Sequence, residues 1–440
     1  MAISKREFSR RRQKLMAEME LGSIAIVPSA SLHIRNRDTE YRFRQDSDFY
    51  YLTGFDEPDA VAVMIPGREH GEFILFCQER DPTLELWTGY RQGPEGACKN
   101  FAADDAFPIG DIDEILPGLI EGRERVYYAM GRNADFDHQL MQWVNTIRTK
   151  ARSGAQPPGE FLDLNYIVHE MRLIKSAAEI RQMQQAADIN VQAHKRAMRA
   201  CKAGLHEYHL EAEIGHEFMQ AGCRHNAYES IVGSGKNGCI MHYTSNRDRL
   251  DEGDLVLIDA GCEHEYYASD ISRTFPVNGK FSAVQRALYD LVLESQLAAI
   301  EATRVGRHFN EPHEACVAIL TAGLVRLGLL KGDVDELILN EAYKPFYMHK
   351  TGHWLGLDVH DVGDYRVGEE WRQLEPGMIV TVEPGLYIAP NNFSVAKKWR
   401  GIGIRIEDDV LVTRAGPKVL TDALVKKASD IEKLMRGRSK

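Results

Sequence analysis

In the second half of the chain, acids and an imidazole recur where a buried strand would carry only apolar side chains. Asp259, Asp270, His353, Glu383 and Glu407 each sit in a strand-like or turn segment otherwise rich in Gly and apolar residues. A carboxylate turned inward on an apolar strand is costly unless it is paired or bound to a metal. Four carboxylates and one imidazole form a donor set that a pair of divalent cations would hold together. The fold must therefore bring these segments to one place.

The first two acids belong to a hairpin. Leu255-Val256-Leu257-Ile258 reads as a strand, Tyr266 to Phe275 as a second, and Glu263-His264-Glu265 as the turn between them. Antiparallel pairing about that turn opposes residues whose numbers sum to about 529, which sets Asp259 against Asp270. Two facing carboxylates repel, and one takes up a proton unless a cation neutralises both. A register slip of one residue would instead turn them to opposite faces, each an ordinary solvated Asp.

Later segments add weight to the paired reading. The stretch from His349 to Asp361 packs His349, His353 and His360 with Asp358 and Asp361 among glycines and bulky apolar residues. Glycine there lets backbones approach closely. After a turn at Leu374 to Met378, an apolar strand runs from Ile379 into Glu383-Pro384-Gly385. Another strand, Gly401 to Asp409, carries Arg405 and Glu407 two positions apart and so on one face.

The strings LIDAGCEHEYYASDISRTFPVNGKF, HKTGHWLGLDVHDVG, TVEPGLYIAP and GIGIRIEDD resemble the two-metal peptidases of the creatinase or "pita-bread" fold. That group includes methionine aminopeptidase, prolidase and aminopeptidase P. The aminopeptidase P pattern is nearest, beginning with RDTEYRFRQDSDFYYLTGF near the N-terminus. The resemblance implies an α+β pita-bread catalytic domain preceded by a smaller α/β N-terminal domain. It implies that Asp259 and Asp270 hold one metal, that Asp270 and Glu407 bridge to a second, and that His353 and Glu383 complete that second site. Manganese is the implied ion, two per subunit. His242, His349 and His360 would handle substrate, Arg405 would order the surroundings of Glu407, and Tyr387 would lie near the site. Ser269 stands where the family often has Gly, and the loop Asn391 to Trp399 is slightly longer than the pattern.

The implied reaction releases the N-terminal residue from peptides with proline in second position. A hydroxide bridged by the metals would attack the scissile carbonyl, Glu383 would take the nucleophile's proton, and His360 or His242 would act as donor. Tyr228, Trp354 and Tyr387 are candidates for the apolar pocket around proline. In the family a Trp resembling Trp87 reaches a neighbouring subunit's site, so a homo-oligomer, dimer or tetramer, is expected; otherwise Trp87 is an aromatic without catalytic reach. Prolidase, which cleaves only X-Pro dipeptides, is the nearest alternative, and a non-catalytic peptide-binding protein is a distant one.

Composition bears on partners and compartment. A chain of 440 residues is long for a single core, so two domains are expected, 1–165 and 166–440, divided within the Gly- and Pro-rich stretch between Lys150 and Ile167. Net charge is −11 with basic and acidic residues interspersed, which argues against nucleic acid. Arg10-Arg11-Arg12 reads as the solvated face of a first helix, since no signal-like apolar stretch follows. No apolar run reaches the roughly 18 residues of a membrane span. The seven cysteines show no CxxC spacing and read as free thiols in a reducing, cytoplasmic setting.

Helix signals are clear in the second half. Ser176 and Glu179 form a capping box ahead of the apolar face Ile180, Met183, Ala187, Val191, His194, Met198, which makes His194 structural. Leu210, Ile214 and Phe218 mark a second helix ending at Gly222. Ser282 and Gln285 open a third, and Pro312 sits in the first turn of a fourth.

Overall fold

The computed structural model describes residues 3–437. The chain falls into two compact units, Met1–Arg172 and Leu173–Lys440. The first is α/β, as expected. Its six-stranded sheet runs in the order Asp105–Pro108, Phe73–Cys77, Val61–Met64, Ser23–Pro28, Arg125–Tyr127, Glu160–Leu162. The Gly- and Pro-rich stretch after Lys150 lies inside this unit, where Glu160–Leu162 supplies the edge strand. Helices Ile112–Ile120 and Ala134–Thr149 bring Leu116, Ile120, Leu140 and Trp143 onto Ile24, Ile26, Val63 and Ile74.

The first helix, Lys5–Glu18, is not a solvated face at Arg11 and Arg12: both side chains are buried. Arg11 Nη1 donates to Tyr51 O at 3.0 Å and Arg12 Nη1 to Leu52 O at 2.9 Å. Those carbonyls belong to the last turn of helix Ser47–Thr53, which leaves acceptors unpaired and attracts cations. Two guanidinium groups cap that end and lie over aromatic rings, Arg12 Cζ 3.9 Å from the Phe73 centroid and Arg11 Cζ 4.2 Å from that of Tyr51.

The second unit is α+β. Its strands pair antiparallel throughout, in small sheets. One sheet has Leu255–Ala260 between Ile231–Ser234 and Ile271–Pro276; another has Asp408–Thr413 between Ile379–Val382 and Gly416–Val419; Gly385–Ile388 pairs with Ile402–Arg405. Helices Ala177–Ala200, Glu207–Gln220, Ala283–Ala302 and Glu311–Arg326 supply most of the apolar cover, with Leu210, Ile214, Leu288, Val292 and Leu320 joining Val256, Ile258, Phe275 and Val380 in one core. Both capping boxes form, at Ser176/Glu179 and Ser282/Gln285.

The hairpin register departs from the expected one. Asp259 pairs with Ser272 and Glu263 with Ala268, so opposed numbers sum to 531, not about 529. The turn is the dipeptide Glu265-Tyr266, both at positive φ, 49° and 71°, the two-residue geometry that matches strand twist. A shift of two keeps parity. Asp270 becomes the diagonal neighbour of Asp259, just before the Ile271 strand, and the two side chains still share one face.

A buried ion pair locks this sheet to the next. Arg273, fully buried, donates from Nη2 to Asp408 Oδ1 at 2.7 Å and from Nη1 to the Glu407 carbonyl at 2.5 Å. Lys426, Gln296 and Thr421 also donate to Asp408, at 2.6, 2.7 and 2.8 Å. Burial alone would raise the Asp408 pKa, but Arg273 and Lys426 outweigh it and hold the carboxyl below its usual range. Removing one member strands a buried charge, so Arg273→Met is expected to cost this unit about 3–5 kcal/mol in urea unfolding. A loss below about 1 kcal/mol, the worth of an exposed pair, would show that the pair carries little of the sheet–sheet junction.

Candidate active site

Asp259, Asp270, His353, Glu383 and Glu407 all line one cavity of about 600 Å³, together with Tyr228, His242, His349, His360, Tyr365 and Arg405. Each comes from a different strand, strand end or connecting segment. Asp259 lies near the end of Leu255–Ala260, Glu383 follows Ile379–Val382, and Glu407 lies between Ile402–Arg405 and Asp408–Thr413. His353 is carried on an extended segment held against Thr381, which donates its backbone N–H to His353 O at 3.0 Å. Gly352 permits that approach: a Cβ there would lie 1.9 Å from Thr381 O.

Ligand atoms of Asp270, His353 and Glu407 lie within 4.8 Å of one another. His353 Nε2 stands 3.5 Å from Asp270 Oδ2 and 3.7 Å from Glu383 Oε1. Its Nδ1–H donates to Trp354 O at 2.9 Å, which orients the ring so that Nε2 faces the acids. Tyr228 sits between the first two acids, its hydroxyl 2.5 Å from Asp259 Oδ1 and in hydrogen-bond contact with Asp270.

Arg405 is the hub behind this cluster. It donates to Asp259 Oδ2 at 2.5 Å, to Ser272 Oγ at 2.8 Å and to the Tyr387 hydroxyl at 3.0 Å. Ser272 passes the connection on, donating to Glu407 Oε2 at 2.8 Å. Tyr387 in turn meets His349 Nε2 at 2.9 Å.

The charges do not balance within the protein. Burial, then Asp259, raises the Asp270 pKa; burial, then Asp270 and Glu383, lifts Glu407 well above the carboxylate range. Burial pushes Glu383 up to about 7. Burial alone would lower His353, but Asp270 and Glu383 outweigh it and raise it to about 9. His349 is depressed to about 4 by burial and by Arg405, so it is neutral at pH 7. Four converging carboxylates with one oriented imidazole fit divalent cations, whose charge would return every acid to its ionised form.

Other candidates are placed differently. Trp354 does not line the cavity: it is fully buried, stacked on Tyr365 with centroids 5.5 Å apart. Its neighbour His353 faces the cavity, and successive side chains in extended backbone point oppositely. The aromatic wall at this point is Tyr365, which carried no motif signal. Tyr387 stands behind the lining, against His349 and Arg405. His194 is buried in the helix core, 3.5 Å from Ala260 O. Trp87 belongs to the first unit and is 84% exposed.

Comparison with known proteins agrees with this geometry. Residues 181–414 match Metallopeptidase family M24, and residues 8–127 match Aminopeptidase P, N-terminal domain. The chain is 49% identical to Xaa-Pro aminopeptidase of Escherichia coli K12 over 98% of each chain. Among solved structures, an aminopeptidase of Pseudomonas aeruginosa superposes with a TM-score of 0.99 at 62% identity, covering 99% of both chains. Zinc-substituted Escherichia coli aminopeptidase P in complex with product gives 0.97 at 48% identity, covering 100% of both.

A cation needs these groups deprotonated, whereas the metal-free site holds a proton on His353 and part of one on Glu383 at neutral pH. Mn²⁺ binding to metal-stripped protein should therefore release protons, and affinity should climb as pH rises through about 7 towards about 9. Titration calorimetry in two buffers of different ionisation enthalpy measures the release. An affinity independent of pH would count against the cluster as the binding site.

Proposed function

The chain belongs to metallopeptidase family M24 and is a metal-dependent Xaa-Pro aminopeptidase, and on that premise we propose how its residues divide the work. Asp259, Asp270 and Glu407 would hold one divalent cation, and Asp270, Glu407, His353 and Glu383 a second. Such a pair supplies Lewis acidity, lowering the pKa of a water towards neutrality and offsetting charge on the scissile carbonyl. The observation that carries this reading is the convergence of all five donors on one cavity.

Glu383 takes the proton of the attacking water. One of its carboxyl oxygens lies 3.7 Å from His353 Nε2 and the other 3.8 Å from His349 Nδ1, so the base sits between two imidazoles at the cavity wall. His360 and His242 serve as donors to the developing oxyanion and the leaving proline nitrogen. The His360 ring sits against His353 at 4.4 Å between centroids, and its pKa is lowered by burial and by His353. Neutral His349, between Tyr387 and the acids, orders the proline side of the peptide together with Tyr228. The free α-amine of the substrate is drawn by the acidic cluster, which confines cleavage to the first bond.

Manganese is the working ion, in keeping with oxygen-rich ligation by a single imidazole. The enzyme works as a homo-oligomer, a tetramer, in which Trp87 completes a neighbouring subunit's site. Supporting this, Leu84, Leu86, Trp87 and Tyr90 are 60%, 85%, 84% and 87% exposed in and beside the short helix Pro82–Thr88, a patch that another copy would cover. The N-terminal unit shapes access and assembly. The compartment is the cytoplasm, in keeping with seven cysteines that form no disulfide. No described helix is long and apolar enough to cross a membrane.

Metal-stripped protein given Mn²⁺ should release alanine from Ala-Pro-Ala and leave Ala-Ala-Ala intact; cleavage of Ala-Pro alone would make it a prolidase. Glu383→Gln should lower kcat by about 10²- to 10⁴-fold with metal loaded, and substantial retained activity would remove Glu383 from its role. Trp87→Ala should raise KM several-fold at nearly constant kcat; an unchanged KM would detach Trp87 from the site.

A further inference from the structure

His242 has no hydrogen bond of its own to aim it, and it rides on an irregular loop between the Ile231–Ser234 strand and Leu255. Two anchors hold that loop. At its start, the 3₁₀ turn Gly235–Cys239 is pressed onto the paired strands Ile402–Arg405 and Gly385–Ile388: a Cβ on Gly403 would lie 1.9 Å from Gly238 O, and Cys239 Sγ is 3.5 Å from Ile388 O. Cys239, Met241 and Tyr243 pack on Ile231, Leu257 and Tyr387, and exposed His242 lines the cavity beside Met241.

The second anchor is Glu207, the first residue of helix Glu207–Gln220 and fully buried. It lies outside the cavity lining and has no part in the chemistry described above. Its Oε1 accepts from Ser234 N at 2.8 Å and Asn237 Nδ2 at 3.0 Å; its Oε2 accepts from the Tyr243 hydroxyl and from Asp248 N, both at 2.8 Å. One carboxylate thus takes four donors spread from one end of the loop to the other, one of them from the residue beside His242. Asn237 Nδ2 closes the ring, 3.0 Å from the Tyr243 oxygen and 2.8 Å from Asp248 Oδ2.

The geometry points to Glu207, acting through Tyr243, as the positioning residue that fixes His242 for transition-state donation. This rests on the donor role given to His242 above. Only a carboxylate offers acceptors to all four donors. The isosteric Gln presents two donors of its own, so two of the four loop groups would meet a like partner in a buried place. The loop must then shift, and a displacement of about 1 Å at a reacting group costs about 10²-fold in rate. The metal ligands belong to other segments and keep their places.

The test is a double-mutant cycle on the manganese-loaded enzyme with Ala-Pro-Ala. Glu207→Gln should lower kcat by about 10- to 100-fold, with KM and bound metal nearly unchanged. In the His242→Ala background the same substitution should cost less than about twofold, because the group it positions is gone. An equal loss in both backgrounds would overturn the assignment and make Glu207 a general support of the fold. Tyr243→Phe removes one hydroxyl and serves if Glu207→Gln does not fold; its smaller loss in kcat should likewise vanish without His242, and persistence would overturn the proposal. His242→Ala alone reports on the donor role: an unchanged kcat there would dismiss that role whatever Glu207 does.

Discussion

Everything in the C-terminal unit is arranged around a concentration of negative charge that the protein cannot neutralise by itself. Five donors reach one cavity, where Arg405 pairs directly with Asp259. Raised pKa values at Asp270, Glu383 and Glu407 are the physical expression of that imbalance. In a metal-free molecule the imbalance works against folding; with divalent cations it becomes the binding energy of the site. Antiparallel strands suit the task, since each delivers one acid at or beyond its end while its apolar side faces the helices.

The rigidity of the site comes from buried polar hubs behind the cavity. Arg405 joins Asp259, Ser272 and Tyr387, and through Ser272 it reaches Glu407. Arg273 and Asp408 lock the backbone of Glu407 from the opposite side. Glu207 does the same for the loop of His242. In each case one charged group, fully hydrogen-bonded, ties together segments far apart in sequence. Networks of this kind stabilise little relative to an apolar core, but they hold a single arrangement. A reaction that depends on tenths of an ångström needs that.

What could be read from the chain alone follows how local each signal is. The capping boxes at Ser176 and Ser282 bind residues three apart, so type and spacing suffice. The hairpin was legible in kind and parity but not in register, because its two-residue turn uses Glu265 and Tyr266 at positive φ where Asn-Gly would have announced it. Trp354 was readable in principle: a residue adjacent to a cavity-facing His on extended backbone must face away. Tyr365 had no such signal. The burial of Arg11 and Arg12 was invisible, since the carbonyls they cap lie forty positions away on another helix.

The sequence by itself determined the family, the class of reaction and the identity of the acids and imidazole that converge, because these are matters of residue type in fixed order. Only the tertiary structure decided which atoms face one another: the Nε2 of His353 towards Asp270, Arg405 spanning three partners, Glu207 accepting from Tyr243. Those relations join strands and loops separated by tens to hundreds of residues. Their geometry is set by packing of the whole core, and no local spacing encodes it.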